Sequence, residues 1–518
     1  MKLNYKRTIL VGFAFFLISA FWQAYDATIP VILTNKFGMS QFWSGVIMAL
    51  DNILAVFMLP LFGALSDKCL GNKYGKRTPF ITIGTIIAAV ALVGLTFVDN
   101  AQLKNISDVA TIDDPAALTV IYDSQAKTEL KTPAGEELVL ENLCSKDAFA
   151  SITCKVTDPE TGKEVTNPDY TNYVTPARQA YVAQKTGENS TELILFVALL
   201  LVVLVAMSTF RSPAVALMPD VTVKPLRSKA NAVINLMGTA GGLIVLVMGI
   251  VFSTSAVQNA MMSYTVYYSI IAGLMLVALA IFLLTVREKK WSQQMREDSL
   301  RLGIEEEAVD TSEKRGLTSA EKRSLLFILA SIALWYFGYN AVTSKYSVYA
   351  SKILDKDYNT TMLLAQAAAI VSYLPAGMIA SKIGRKKTIM GGVVLLSAAF
   401  AIAAFMRASS PAIVMNILFI MAGRGWATIN VNSFPMVVEM CSGSDIGKYT
   451  GYYYTASMAA QVVTPMLSGF LMDNMAETIL FPYAAIFAAL AFVTMAFVKH
   501  GDAKPEAKQG LEAMDIDD

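Results

Sequence analysis

Apolar runs of about twenty residues recur along nearly the whole chain, and no other feature narrows its fold so far. As a helix rising about 1.5 Å per residue, such a run crosses the roughly 30 Å of hydrocarbon in a bilayer. Twelve can be counted, near 8–34, 41–65, 80–98, 192–218, 230–254, 262–286, 324–350, 361–380, 388–406, 411–438, 449–472 and 478–498. Of the 518 residues 55% are hydrophobic and 16% charged, a balance that a water-soluble domain of this length does not show. The lipid bilayer is the expected solvent.

A charged cassette appears twice between these runs. GALSDKCLGNKYGKRTPF spans Gly63 to Phe80, and a shorter echo, GMIASKIGRKKT, spans Gly377 to Thr388. A second echo links Pro213, Pro219, Asp220 and Arg227, around the start of the fifth run, to Pro435, Glu439 and Lys448, before the eleventh. Repeats at matching places predict an all-α membrane protein of twelve transmembrane helices, in two pseudo-symmetric six-helix bundles related by an axis along the membrane normal. The expected division is a first bundle over 1–286 with an insert at 99–191, a linker over 287–323, a second bundle over 324–498 and a disordered acidic tail over 499–518.

Orientation follows from Lys and Arg. With both termini cytoplasmic, the inner segments receive Lys2, Lys6, Arg7, Lys73, Lys76, Arg77, Lys224, Arg227, Lys229, Lys382, Arg385, Lys386 and Lys387, while the turns near 255–261 and 473–477 hold neither residue. That is the positive-inside pattern of a multi-pass protein, expected here in a cell membrane, with the insert outside and the linker inside. The run after Arg7 exceeds a signal-peptide core and lacks a small-residue cleavage site, so no leader is expected. Cys144 and Cys154 both fall in the insert, at a spacing that allows a bridge without requiring one. Three Asn-x-Ser/Thr triplets, at Asn105, Asn189 and Asn359, also map to outer segments.

The twelve-run plan, the central linker and the loop carrying Gly63, Asp67 and Gly75-Lys76-Arg77 together resemble the major facilitator superfamily. The long gap from Asp67 to Gly75, the ending Thr78-Pro79-Phe80, and the segments Ala216-Leu217-Met218-Pro219-Asp220 and Ala230-Asn231-Ala232 resemble its sucrose/proton symporter and glycoside-pentoside-hexuronide branch. Against that branch the insert is long, and the fourth-run Arg stands at 211 rather than beside Ala216. The resemblance implies a major facilitator fold with runs one, four, seven and ten around a central cavity. It also implies a cytoplasmic gate of Gly63, Asp67, Lys76, Arg77, Asp220, Arg227, Glu439 and Lys448, whose contacts form in one state and break in another. The sodium site of melibiose-type symporters is not expected, because the positions for its paired acids hold Ala55 and Leu59.

Charge inside hydrocarbon is costly unless it faces water or a partner, so ionisable residues within the runs are functional candidates. They are Asp26, Asp51, Arg211, Lys345 and Arg424. The single histidine, His500, ends the last run and is expected to be structural, which leaves proton coupling to Asp26 or Asp51. For the solute the candidates are Gln23, Tyr336, Tyr339, Asn340, Lys345, Arg424, Trp426 and Asn430. Aromatic faces stack on the C–H face of a sugar ring, while amides and Arg bond its hydroxyls. The expected partners are a sugar, a proton and lipid, with no nucleic acid, no cofactor and no metal, and the chain is expected to act as a monomer. No nucleotide-hydrolysing or metal motif points to an enzyme. The expected function is proton-coupled import of a disaccharide or other glycoside by alternating access. The alternatives are a proton-antiport exporter of amphipathic compounds and a non-transporting solute sensor. Against them, Gly238 to Gly242 lacks an antiporter's Pro, and the linker is short for a sensor.

Overall fold

The computed structural model describes residues 3–69, 73–157, 162, 164–223, 226–301, 318–438, 440 and 446–501. In a bilayer every backbone N–H and C=O needs a partner within the protein, and an unbroken helix supplies them all. Helices α1 (Tyr5–Asn35), α2 (Gln41–Lys68) and α3 (Thr78–Asn105) precede the insert, whose short helices are α4 (Pro115–Gln125), α5 (Leu140–Leu143), α6 (Lys146–Ala150) and α7 (Thr175–Glu188). α8 (Thr191–Val221), α9 (Arg227–Val251) and α10 (Thr265–Thr285) complete the first half, and α11 (Glu288–Arg301) opens the linker. The second half is α12 (Ser319–Tyr349), α13 (Tyr358–Ile383), α14 (Arg385–Ala403), α15 (Ala412–Val438), α16 (Ile446–Asn474) and α17 (Leu480–Ala496).

Among the described residues, 10 helices are long and apolar enough to cross a membrane. The long helices outside that set, α13 and α16, both pack on the opposite bundle and carry polar groups there, among them Asn359, Gln366 and Asp473. Local sequence sets where helices begin. Ser40 caps α2, Asp357 caps α13, and Thr318 with Glu321 forms a reciprocal capping box on α12, each occupying N–H groups that a first turn leaves free.

The two bundles repeat one packing plan. In the first, α1 lies on α9 and α10, α3 on α8 and α10, and α2 on α8; in the second, α12 lies on α16 and α17, α14 on α15 and α17, and α13 on α15. Each has its own apolar core, around Phe21, Leu204 and Tyr267 in one and Trp335, Phe419 and Phe481 in the other. The bundles meet along two equivalent seams, α2 against α16 and α9 against α13, with α1 facing α12 between them. Small residues bring backbones together there. A Cβ at Gly45 would lie 2.1 Å from the Pro465 carbonyl oxygen, and one at Gly469 would lie 2.2 Å from that of Gln41.

The insert is a small folded cap. Its helices enclose a core that includes Ile106, Leu118, Phe149, Tyr170 and Tyr181. Two antiparallel hairpins, β1 (Leu130–Lys131) with β2 (Glu137–Leu138) and β3 (Lys155–Thr157) with β4 (Glu164–Thr166), complete it. It defines a cap face of the molecule; the chain start and α11 define the opposite, terminal face. The cap begins later than the apolar pattern predicts, because α3 continues to Asn105. Asp99 and Gln102, which read as loop residues, are buried there against Lys36.

Cys144 and Cys154 are both free thiols; Cys154 is buried, and desolvation with the nearby Asp113 pushes its thiol up to about 12. Asn359, in the first turn of α13 at the cap face, is fully buried and donates to Thr254 Oγ1. His500 is structural in its contacts, with Nδ1 2.9 Å from Ser324 Oγ.

Candidate transport site and its gates

Two acids within the apolar helices of the first bundle lie within electrostatic reach. Asp26 on α1 and Asp51 on α2 lie close enough for their charges to act on each other, and Arg211 on α8 acts on Asp51. Asn52 Nδ2 donates to Asp51 Oδ1 over 2.8 Å. The Arg211 guanidinium sits 5.7 Å from the Trp22 ring centroid. All five side chains are half-buried.

The second bundle supplies an aromatic wall. Trp426 stacks on Tyr339 with ring centroids 3.7 Å apart and planes 4° from parallel, and meets Tyr336 edge-on at 5.2 Å. Tyr339 also lies within electrostatic reach of Asp26, which joins the wall to the acids. Gln366 on α13 donates to the Gln23 side chain, a hydrogen bond between bundles. Asn430 is half-buried one turn beyond Trp426. Trp22 Nε1 and Asn340 Nδ2 are buried donors with no protein partner, and such groups are costly unless something else accepts from them.

Two expected ligands stand elsewhere. Lys345 is fully buried at the cap-face seam, where Nζ donates to the Gln41 carbonyl. Arg424 is exposed. Its neighbour Gly423 meets Ala365 of α13, Gly425 meets Gly392 of α14, and Trp426 faces α12; at 100° per residue Arg424 occupies the remaining sector, with the exposed Ile413 and Ile417.

At the terminal face the cassette is tied into its own bundle. Arg77 Nε and Lys76 Nζ pair with Asp220 at 2.9 and 3.4 Å, and Arg77 also donates to Ser66. Gly63 lets α2 close on Ser212, 2.8 Å from where a Cβ would stand. A residue the sequence reading missed completes this arrangement. Glu288, the first of α11, accepts from the backbone N–H groups of Lys76, Arg77 and Thr78 and from the Thr78 hydroxyl, over 2.7 to 2.9 Å. It stood in a mixed-charge linker, where nothing marks it out. Asp220, Ser66 and Glu288, the described partners of Lys76 and Arg77, belong to the first bundle and the linker. Glu439 and the side chains of Asp67, Arg227 and Lys448 lie outside the described residues.

The cap face carries the contacts between halves. Asp473 accepts from the Gln41 and Phe42 N–H groups at 2.8 and 2.7 Å, capping α2 from the other bundle. Ser255 donates to Asp357 over 2.6 Å and Thr254 bonds Tyr358 at 2.8 Å. The cap itself bridges the halves, through Lys352 to Gln179 at 2.8 Å and the Glu477 N–H to the Pro133 carbonyl at 3.0 Å. Together with the Gln366 to Gln23 hydrogen bond, these contacts join the bundles.

Sequence and structure comparisons agree with this architecture. A family described as MFS/sugar transport protein matches residues 10–104, and one described as Major Facilitator Superfamily matches residues 355–515. The inward open xylose transporter XylE from E. coli superposes with TM-score 0.57 at 13% identity, over 95% of this chain and 96% of that one. The chain has the major facilitator fold. A D-xylose-proton symporter gives TM-score 0.56 at 15% identity, over 96% and 99% of the two chains. By sequence, an MFS-type transporter, ppzB, of Metarhizium rileyi (strain RCEF 4871) is 26% identical over 142 residues, which is 27% of this chain and 29% of that protein. The ppzB protein of Metarhizium majus (strain ARSEF 297) is 28% identical over 134 residues, again 29% of its length. The stretch shared with these relatives is therefore under a third of either. Each of these proteins is a transporter rather than an enzyme.

Proposed function

We propose that the protein is a secondary active transporter of the plasma or inner membrane. It carries a sugar, a disaccharide or other glycoside, into the cell with a proton, by alternating access. The reading rests on one observation, the Asp26 and Asp51 pair beside Arg211, held on the first bundle opposite the Tyr339 and Trp426 stack on the second. Two acids that sense each other and a nearby cation change their preferred charge when a proton or a solute arrives. The stack offers a flat face to a sugar ring, and Trp22 Nε1 and Asn340 Nδ2 offer donors to its oxygens. Solute between the halves senses both bundles, and the contacts that must part to admit it from the other side are those of the cap face. On this reading the termini and linker are cytoplasmic, the cap is outside and a single chain suffices.

Uptake of labelled sucrose, maltose and melibiose into proteoliposomes tests the proposal. A pH gradient, acid on the cap side, should drive accumulation. Asp51→Asn and Asp26→Asn should each lower gradient-driven uptake about 100-fold while solute exchange without a gradient persists. Accumulation indifferent to the gradient in the unsubstituted protein would reject coupling, and absence of binding to any of the three would reject the solute class.

A further inference from the structure

We infer a binding site for a small monoanion beneath the cap, in a crevice that belongs to neither solute nor proton path. It is a small crevice, with about 40 Å³ open to the centre of a water-sized group, between the cap, the end of α1, the α9–α10 turn and the end of α12. Arg178 of α7 and Lys352, just past α12, both line it, with Asn35, Tyr170 and Thr175.

Arg178 carries the argument. It is 4% exposed, and its guanidinium meets only neutral groups among the described residues: the Val109 and Thr111 carbonyls and the Tyr170 hydroxyl. No carboxylate lies within ion-pair distance, and Nε has no partner at all. A cation taken out of water without a counter-ion is strongly disfavoured. The acids around the crevice are engaged elsewhere. Asp357 is taken up by Ser255, Thr360 and the first N–H groups of α13, Asp113 accepts from the Cys154 N–H, and Glu477 lies 3.8 Å from Lys352, so of the two cations Arg178 is the one without a carboxylate among the described residues. An anion in the crevice would give Arg178 its missing charge, and Lys352, which also lines the crevice beside Glu477 and Gln179, would add a second positive group. Carbonyls occupy one edge of the guanidinium, so a single negative charge fits better than a phosphate dianion.

Because Arg178 is on the first bundle's cap and Lys352 is on the second bundle, an anion held by both ties the halves together at this face. Chloride and the carboxylate of a small organic acid share this chemistry. Thermal unfolding of the detergent-solubilised full chain, titrated with chloride, acetate or glucuronate at constant ionic strength against a bulky sulfonate, separates them. The midpoint should rise saturably with at least one. Lys352→Gln should weaken that anion about tenfold, and Arg178→Gln should abolish the response. A rise with chloride alone assigns a halide site, and a rise with the carboxylates assigns an organic-acid site. No saturable rise with any of the three in the unsubstituted protein overturns the inference. So does an unchanged titration in Lys352→Gln, a reading that stands even if Arg178→Gln fails to fold.

Discussion

Lys36 and Asp99, at the ends of α1 and α3, are 0% and 1% exposed, with Nζ 2.6 Å from the carboxylate and 2.6 Å from the Met262 carbonyl. Each is tolerable only with the other. Asp99→Asn should therefore cost about 3–5 kcal/mol in unfolding experiments, and the double change Lys36→Met with Asp99→Leu should recover most of it. Neither was legible in the sequence, because charges at the ends of apolar runs ordinarily meet water; only folding shows that these two meet each other. Asp26 and Asp51 were legible, since an acid deep in an apolar run has few reasons to be there. Depth, however, is not rotation. Arg424 lies as deep as Trp426 yet faces another way, and only the neighbours of Gly423 and Gly425 say so. Trp426→Ala should raise the solute KM about tenfold, by loss of the stack on Tyr339, with Trp426→Phe retaining most of the affinity. Cys154 should resist maleimide in the native protein, its thiol being buried and pushed up to about 12, while the exposed Cys69 reacts; denaturation should expose both.

Among the elements, α2 depends most on a partner outside its own bundle. Its first turn leaves N–H groups free, and the Asp473 carboxylate of α16 takes two of them, with favourable charge at the helix's positive end. Asp473→Asn should loosen the cap face by about 1 kcal/mol. A cysteine replacing Asn52 should then react about 5-fold faster with a thiol reagent confined to the cap side. The helix count and the paired halves were readable from hydropathy and the repeated cassette, because both are set by chain length and bilayer thickness. The cap was not. Its hairpins are two or three residues per strand, too short for an alternating pattern, and its core is made from contacts distant in sequence. Glu288 escaped for the same reason, since its acceptors' partners lie over 200 positions away.

On the scale of the whole molecule, the cap face holds several hydrogen bonds between halves, and glycines decide how close the halves come there. Gly45 and Gly469 stand on the two sides of the same seam, each nearly touching a carbonyl oxygen across it. Gly45→Val should hold the halves apart there, raising cap-side labelling at Asn52→Cys and slowing net uptake while leaving solute binding from the cap side intact. Such an interface has a further consequence. Flexible side chains at a boundary can give way by degrees and let water thread between them, but main chain pressed on main chain has nothing to fold aside. The boundary is either shut or fully parted, and in the proposed proton-coupled transporter that would protect the ion gradient from slow dissipation during each cycle.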